Sequence, residues 1–241
     1  MFYQKIKKSL AKVRHTPFHP QWFAYRNERE YNSQIGKQVI GMVLDIGCAD
    51  QYIKTYIKKN HYYIGLDYYQ TATNWYGTQP NVYGDAQTLP FADNSMDTVL
   101  LLDVLEHLPC PENCISEIAR VLKPTGILIL QVPFLYPIHD SPLDFQRWTQ
   151  HGLEKLVAKY NFVICQKIAI GKPLETASLL LNIAISKTIL NWLRQKNPAL
   201  VLSILAPIVV LIVNLVGWLF SFLSPKDEMM PHSYRLFLEK Q

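Results

Sequence analysis

The run "VLDIGCADQY", Val43 to Tyr52, decides how the chain is read. It opens on apolar residues, carries Asp45, turns at Gly47 and passes through Asp50 into a helix-forming stretch. That is a buried strand feeding a strand-to-helix turn. Turns that hold a dinucleotide use G-x-G-x-x-G, so that backbone N–H groups close on the pyrophosphate. Here Gly47 stands alone, with Ala49 and Gln51 following it. Asp50 at the helix start would repel a phosphate. The turn has the shape of a ligand loop but excludes a pyrophosphate.

Outward from this loop, short apolar runs alternate with amphipathic segments. "MVLDIG" (42–47), "YYIGLD" (62–67), "MDTVLLLD" (96–103), "GILILQV" (126–132) and "FVICQKIAI" (162–170) read as strands. Their apolar runs are continuous, which suits a parallel sheet covered on both faces. "DQYIKTYIKK", capped by Asp50, "PENCISEIARVLKP", stopped by Pro124 and Gly126, and "TQHGLEKLVAKY" read as helices. Alternation of the two gives βαβ units and a doubly wound α/β fold. A last segment, "HSYRLFLEK" (232–240), alternates like a strand. Paired antiparallel with 162–170, it makes everything between them an insertion in a hairpin connection.

That insertion is apolar. "SLLLNIAISKTILNWL" (178–193) holds one Lys187, and residues 197–225 hold no charged side chain. The apolar part of the second run, about 26 residues, extends roughly 39 Å as a helix, enough to cross a bilayer. Both ends of a hairpin insertion must return to one side, so a single crossing is excluded. A helical hairpin dipping into one leaflet, or helices packed on the domain, is expected; a homodimer through 172–231 is the alternative. The expected organisation is an N-terminal arm (1–41), a core (42–171), the insertion (172–231) and the last core strand (232–241).

Composition places the chain among globular proteins: 241 residues, 49% hydrophobic and 18% charged. The net charge of +5 is uneven, because residues 1–41 hold eight Lys or Arg against two acids. Such an arm suits an anionic partner. In "MFYQKIKKSLAKVRH", Phe2, Ile6, Leu10 and Val13 share one helical face among lysines. This suits a helix lying on an anionic membrane or one packed on its own domain. Four scattered cysteines and a charged N-terminal stretch suggest free thiols and a cytoplasmic location. Cys110 and Cys114 with His107 fit no zinc spacing, so no metal is expected.

In open parallel sheets, ligands sit beyond the carboxyl ends of the strands. Acids recur there: Asp45, Asp67, Asp85 and Asp103. Asp67 lies 22 residues past Asp45, the place of a carboxylate that binds ribose hydroxyls. The ligand expected is ribose-bearing, lacks a diphosphate and tolerates acids. A sulfonium nucleoside, S-adenosylmethionine, fits.

"VLDIGCAD", "YIGLD", "GDAQTLPFADNSMDTVLLLDVLEHL" and "EIARVLKPTGILILQVP" resemble successive motifs of class I S-adenosylmethionine-dependent methyltransferases of the type-11 group. The resemblance covers about residues 40–170. It implies a Rossmann-like, mostly parallel seven-stranded sheet with an antiparallel last strand. It implies that Asp45, Gly47, Cys48 and Ala49 lie against the methionine part of the cofactor, that Asp67 with Tyr68 holds the ribose, that Asp85 and Ala86 meet the adenine, and that Asp103 lies near the transferred methyl. Glu106-His107 matches the "EH" that follows. Ala49 and Gln51 depart from the family's glycines; a Cβ there is harmless unless φ is positive. The loop "YPIHDSPLDFQRWT" resembles a subgroup associated with surface-polysaccharide or lipid-linked sugar synthesis. From the residue chemistry, His139 is the candidate base, Asp140 its orienter and Arg147 an anion anchor. The expected function is methyl transfer to a small or lipid-linked acceptor at the inner membrane face. The alternatives are a soluble dimeric enzyme and a silent binding module. Nucleic acid is not an expected partner.

Overall fold

The computed structural model describes residues 11–225 and 227–241. Most of the amphipathic face proposed for the N-terminus, Phe2, Ile6 and Leu10, lies outside the described residues. The chain divides into two units. One comprises Glu30–Phe134, Ile138–Ile170 and Ser233–Gln241; the other comprises Gly171–His232, Leu135–Pro137 and the described part of Met1–Arg29.

The first unit is a seven-stranded sheet: β1 (Met42–Ile46), β2 (Tyr62–Asp67), β3 (Val82–Tyr83), β4 (Met96–Leu102), β5 (Leu122–Pro133), β6 (Phe162–Ile170) and β7 (Ser233–Lys240). Their order is β3-β2-β1-β4-β5-β7-β6. Strands β1 to β5 pair parallel, while β7 runs antiparallel between β5 and β6. The order reverses between β1 and β4, so the loops after these strands diverge and leave a crevice.

The continuous apolar runs are buried on both faces. In β4, Val99 and Leu101 join one core cluster and Leu100 the other, the period of two expected of a strand. Helix α1 (Glu28–Gln38) puts Ile35 against Val43 and Leu100. Helix α2 (Pro111–Val121) covers the opposite face with Cys114, Ile115, Ile118 and Val121, one stripe at helical spacing. Helix α3 (Gln150–Ala158) is capped by Thr149, whose side chain accepts from the Gly152 N–H.

Two elements differ from expectation. The helix read over "DQYIKTYIKK" is only a 3₁₀ segment, Tyr52–Tyr56. Gln51 before it is left-handed (φ +57°), and Asp50 Oδ1 accepts from the Tyr52 N–H instead of capping a longer helix. Strand β5 begins at Leu122, not Gly126, with a register shift between Met96 and Thr98 on β4. Thr125 (φ +61°) absorbs the irregularity that Pro124 imposes.

The second unit holds α4 (Pro173–Gln195), a 3₁₀ stretch (Pro198–Leu205) and α5 (Ala206–Leu223). Helices α4 and α5 approach closely. A Cβ on Gly217 would lie 2.1 Å from Ser178 Oγ. Between them Asn182 Nδ2 donates to Asn214 Oδ1 at 2.9 Å, both side chains buried. Asn214 Nδ2 in turn donates to the Pro17 and His19 carbonyls. Arg26 donates to Glu175 Oε1 at 2.6 Å, and Arg14 pairs with Glu28 at 2.9 Å. Two cations of the basic arm are therefore engaged within this unit.

Candidate active site

A cavity of about 500 Å³ opens beyond the carboxyl ends of β1, β2 and β4, within the volume range of small-molecule sites. Gly47, Asp67, Asp85, Asp103, His107 and His139 stand on its wall.

Gly47 is required where it stands. Its φ is +72°, and a Cβ would meet Val104 Cγ2 at 2.3 Å. The Gly47 and Cys48 N–H groups both donate to the Leu66 carbonyl, at 2.8 and 3.1 Å. The Ala49 N–H donates to Asp67 Oδ2 at 2.9 Å, and the Tyr68 N–H to Asp67 Oδ1 at 2.8 Å. One carboxylate thus ties the β1 loop to the β2 loop, keeping further lone pairs on each oxygen. Burial raises the Asp67 pKa against the pull of these two N–H groups.

Ala49 has φ +44° and Gln51 φ +57°. Both occupy the left-handed region, where a Cβ costs about 1–2 kcal/mol. The loop keeps a glycine-type backbone without the glycines, so its shape is retained at the expense of strain.

Asp45 and Cys48 do not line the cavity. Asp45 is buried behind the loop and accepts from the Tyr63 hydroxyl. Burial, reinforced by the Asp67 and Asp50 charges, pushes its pKa up to about 7. Burial likewise raises the Cys48 thiol to about 12, which makes it an inert packing group. Cys110 is exposed and Cys114 is buried within α2, so the two thiols have separate environments.

Asp85 stands at the exposed rim and accepts from the Gln87 N–H at 2.8 Å, with Ala86 buried beside it. Tyr68, expected from the sequence, stands on the wall with Thr71, Trp75 and Tyr76, three residues that sequence reasoning missed. The signal was the aromatic cluster "YYQTATNWY" just after Asp67, which folds into a π-helical turn, Thr71–Tyr76.

Asp103, at φ +55°, ends β4 and accepts from Gln131 Nε2 at 2.6 Å. Gln131 Oε1 accepts from Arg235 Nε at 2.9 Å, and Arg235 is buried on β7. Asp103 is open to solvent through the cavity, yet protein crowds its other sides. That crowding raises its pKa, opposed by Gln131, Arg235 and the two histidines.

The 3₁₀ segment Leu105–His107 forms the far wall. Glu106 is fully buried, and neither carboxylate oxygen has a hydrogen-bond partner among the described residues. His107 Nε2 lies 3.7 Å and His139 Nε2 3.8 Å from Glu106 Oε1. Burial first, and the Asp103 charge second, push the Glu106 pKa up to about 9. His139 and Asp140 reach the cavity from the loop after β5. The acid beside His139 is Asp144, not the expected Asp140: the His139 N–H donates to Asp144 Oδ2 at 2.9 Å, and ring Nδ1 lies 3.3 Å from it. Arg147 is not on the wall. Its guanidinium is held by Asp144 and the Gln146 carbonyl. It pulls the Asp144 pKa down to about 2.

Residues 44–130 match the model of a family described as a methyltransferase domain. The chain is similar to this family over that segment, about a third of its length. S-adenosylmethionine is the cofactor expected from the sequence. The chain is similar to a sterol 24-C-methyltransferase, ERG6B, of Gibberella zeae: 32% identical over 128 residues, 48% of this chain and 34% of that protein. It is also similar to the ubiquinone/menaquinone biosynthesis C-methyltransferase UbiE of Ruegeria sp.: 31% identical over 84 residues, 35% of this chain and 29% of that protein. The chain thus spans about a third of the length of these relatives. Among solved structures, a methyltransferase of Archaeoglobus fulgidus superposes with TM-score 0.52 at 14% identity, covering 90% of this chain and 94% of that one. That likeness speaks for the fold.

The residues present fit the cofactor. The close approach at Gly47 leaves no room for a side chain, and the wall presents carboxylates, which suit ribose hydroxyls and a cationic amino acid.

Proposed function

We propose that this chain transfers a methyl group from S-adenosylmethionine to an amphipathic or lipid-linked acceptor at the cytoplasmic membrane face. The observation that carries the membrane reading is the segment Pro198–Leu223. It is long and apolar enough to cross a bilayer, with mean hydropathy 2.8, and its most apolar window is only 11% buried. Ile204 is 80% and Phe222 75% exposed. Such a patch on a protein surface marks an interaction site. Strands β6 and β7 pair as a hairpin with this insertion between them, so its two ends return to one side. The close α4–α5 pair supports a helical hairpin dipping into one leaflet over a single crossing.

When bound, the cofactor supplies a methyl on a sulfonium, an electrophile that needs no activation. The protein's part is alignment and exclusion of water. Asp67 is assigned to the ribose hydroxyls, Asp85 with Ala86 to the adenine, and Asp103 to the cationic amino acid end. Asp45 and Cys48 hold the loop from behind. The acceptor enters at the side of His107, His139 and Asp140.

Two assays test this. Flotation with vesicles containing anionic lipid is expected to carry the protein upward. Ile204→Glu with Phe222→Glu, both at exposed positions, is expected to leave it at the bottom. A wild-type protein that stays at the bottom and runs as a dimer would replace the membrane with a second copy. Labelled methyl transfer into a lipid extract and a water-soluble extract, side by side, tests the acceptor class. Transfer only into the aqueous extract counts against an amphipathic acceptor.

A further inference from the structure

We propose that Glu106, His107 and His139 form a binding site for a divalent transition-metal cation on the wall of the cavity. The Cys110–Cys114 spacing suggested no such site, and the fold assembles a different set of ligands. Ligand atoms of Glu106, His107 and His139 all lie within 4.8 Å of one another.

Three observations point to a cation. First, Glu106 is completely buried with both oxygens unpartnered among the described residues. A buried carboxylate without a partner is costly, and a cation is the partner that removes the cost. Second, both Nε2 atoms face the same oxygen at 3.7 and 3.8 Å. These distances are too long for hydrogen bonds. Ligands held about 2.1 Å from one metal sit about 3–3.4 Å apart, so the two Glu106–histidine pairs must contract by a few tenths of an ångström, and the widest separation, up to 4.8 Å, by about 1 Å or more. Third, the opposite ring nitrogens are engaged. His107 Nδ1 lies 2.7 Å from the Leu143 carbonyl, which only accepts, so this nitrogen carries the hydrogen. His139 Nδ1 lies 3.3 Å from Asp144 Oδ2. Arg147 Nη2, also at 3.3 Å, competes for His139 Nδ1. A hydrogen on Nδ1 directed to Asp144 leaves the Nε2 lone pair toward Glu106, the arrangement that second-shell carboxylates impose on metal-bound histidines.

Two imidazoles and one carboxylate select a transition metal over magnesium or calcium. His107 and His139 line the cavity, so open coordination positions face the acceptor. A cation there binds an acceptor oxygen and positions it. That role, though not the binding itself, rests on the methyl-transfer reading. It makes His139 a ligand in place of the base expected from sequence.

The test uses the full chain, stripped with chelator and titrated with CoCl₂. Saturable visible d–d absorption at one Co²⁺ per chain, displaced by ZnCl₂, is expected. Glu106→Gln and His139→Ala are expected to abolish it, and Asp144→Asn to weaken it roughly 10–100-fold. Circular dichroism confirms that each variant is folded. Calorimetric binding of S-adenosylhomocysteine on the same samples is expected to survive, which separates a failed metal site from a failed cofactor site. Absence of saturable Co²⁺ absorption in the wild type overturns the proposal. So does wild-type Co²⁺ affinity in the folded Glu106 and His139 variants, or loss of the absorption in Cys110→Ser.

Discussion

Asp45→Asn should make the protein more stable at neutral and alkaline pH and leave it unchanged in acid. Asp45 is 3% exposed, and burial is the largest cause of its raised pKa. The value rises from 3.8 to about 7. The folded-state pKa therefore lies above the unfolded one. Between those two values the folded state holds a proton that the unfolded chain has lost, so this group's contribution to stability falls as pH rises and levels off above about pH 7. A gap of about 3 in pKa, at about 1.4 kcal/mol each, bounds the loss near 4 kcal/mol at pH 8. Asparagine has the shape of the protonated acid and still accepts from Tyr63, without the titration. The stability difference between variant and wild type should grow from near zero at pH 4 to about 2–4 kcal/mol at pH 8. In a chain of this size that is a rise in Tm of roughly 4–16 °C. Calorimetric melting at pH 4, 6 and 8 in chelator reads it directly. A difference that does not change with pH, or an Asn variant that melts lower at pH 8, refutes the reasoning.

Other expectations follow from the same loop and from the insertion. Ala49→Gly and Gln51→Gly each relieve a left-handed Cβ and should stabilise by up to about 1 kcal/mol in urea unfolding, the flexibility gained by the unfolded chain offsetting part of the strain. Gly47→Ala meets Val104 at 2.3 Å in a positive-φ position, and should lower both Tm and S-adenosylhomocysteine binding. Asp67→Ala strands the Ala49 and Tyr68 N–H groups and removes the ribose acceptor; titration calorimetry should show at least a tenfold loss of affinity. Asn214→Leu breaks the buried bonds to Asn182, Pro17 and His19, and should destabilise the α4–α5 unit by about 2–4 kcal/mol, seen as faster amide exchange in that unit.

Much of the fold was legible in the sequence for a simple reason. A strand buried on both faces must be apolar throughout, and a doubly wound topology puts the carboxyl end of every parallel strand on one edge. The apolar runs therefore located the sheet. The acids ending them, Asp67, Asp85 and Asp103, all stand on the cavity wall. The charge-free run 197–225 was equally legible as a segment apart, because no local context hides the absence of charge over such a length.

Tertiary structure decided the rest, because it depends on side-chain direction and on partners distant in sequence. Asp45 sits on a strand, where alternate side chains face opposite ways, and it turns to Tyr63 instead of the cavity. Arg147 looks like an anion anchor in the sequence, but Asp144 takes its guanidinium. Glu106 and His139 stand 33 residues apart, and only the loop after β5, folded over Leu105–His107, brings them together. At Gly47–Gln51 the sequence alone argued against a pyrophosphate, through a lone glycine and an acid at the helix start. Only the backbone angles of Ala49 and Gln51 showed that the missing glycines leave the loop strained but correctly shaped, since dihedral strain is a property of the closed loop and not of residue identity.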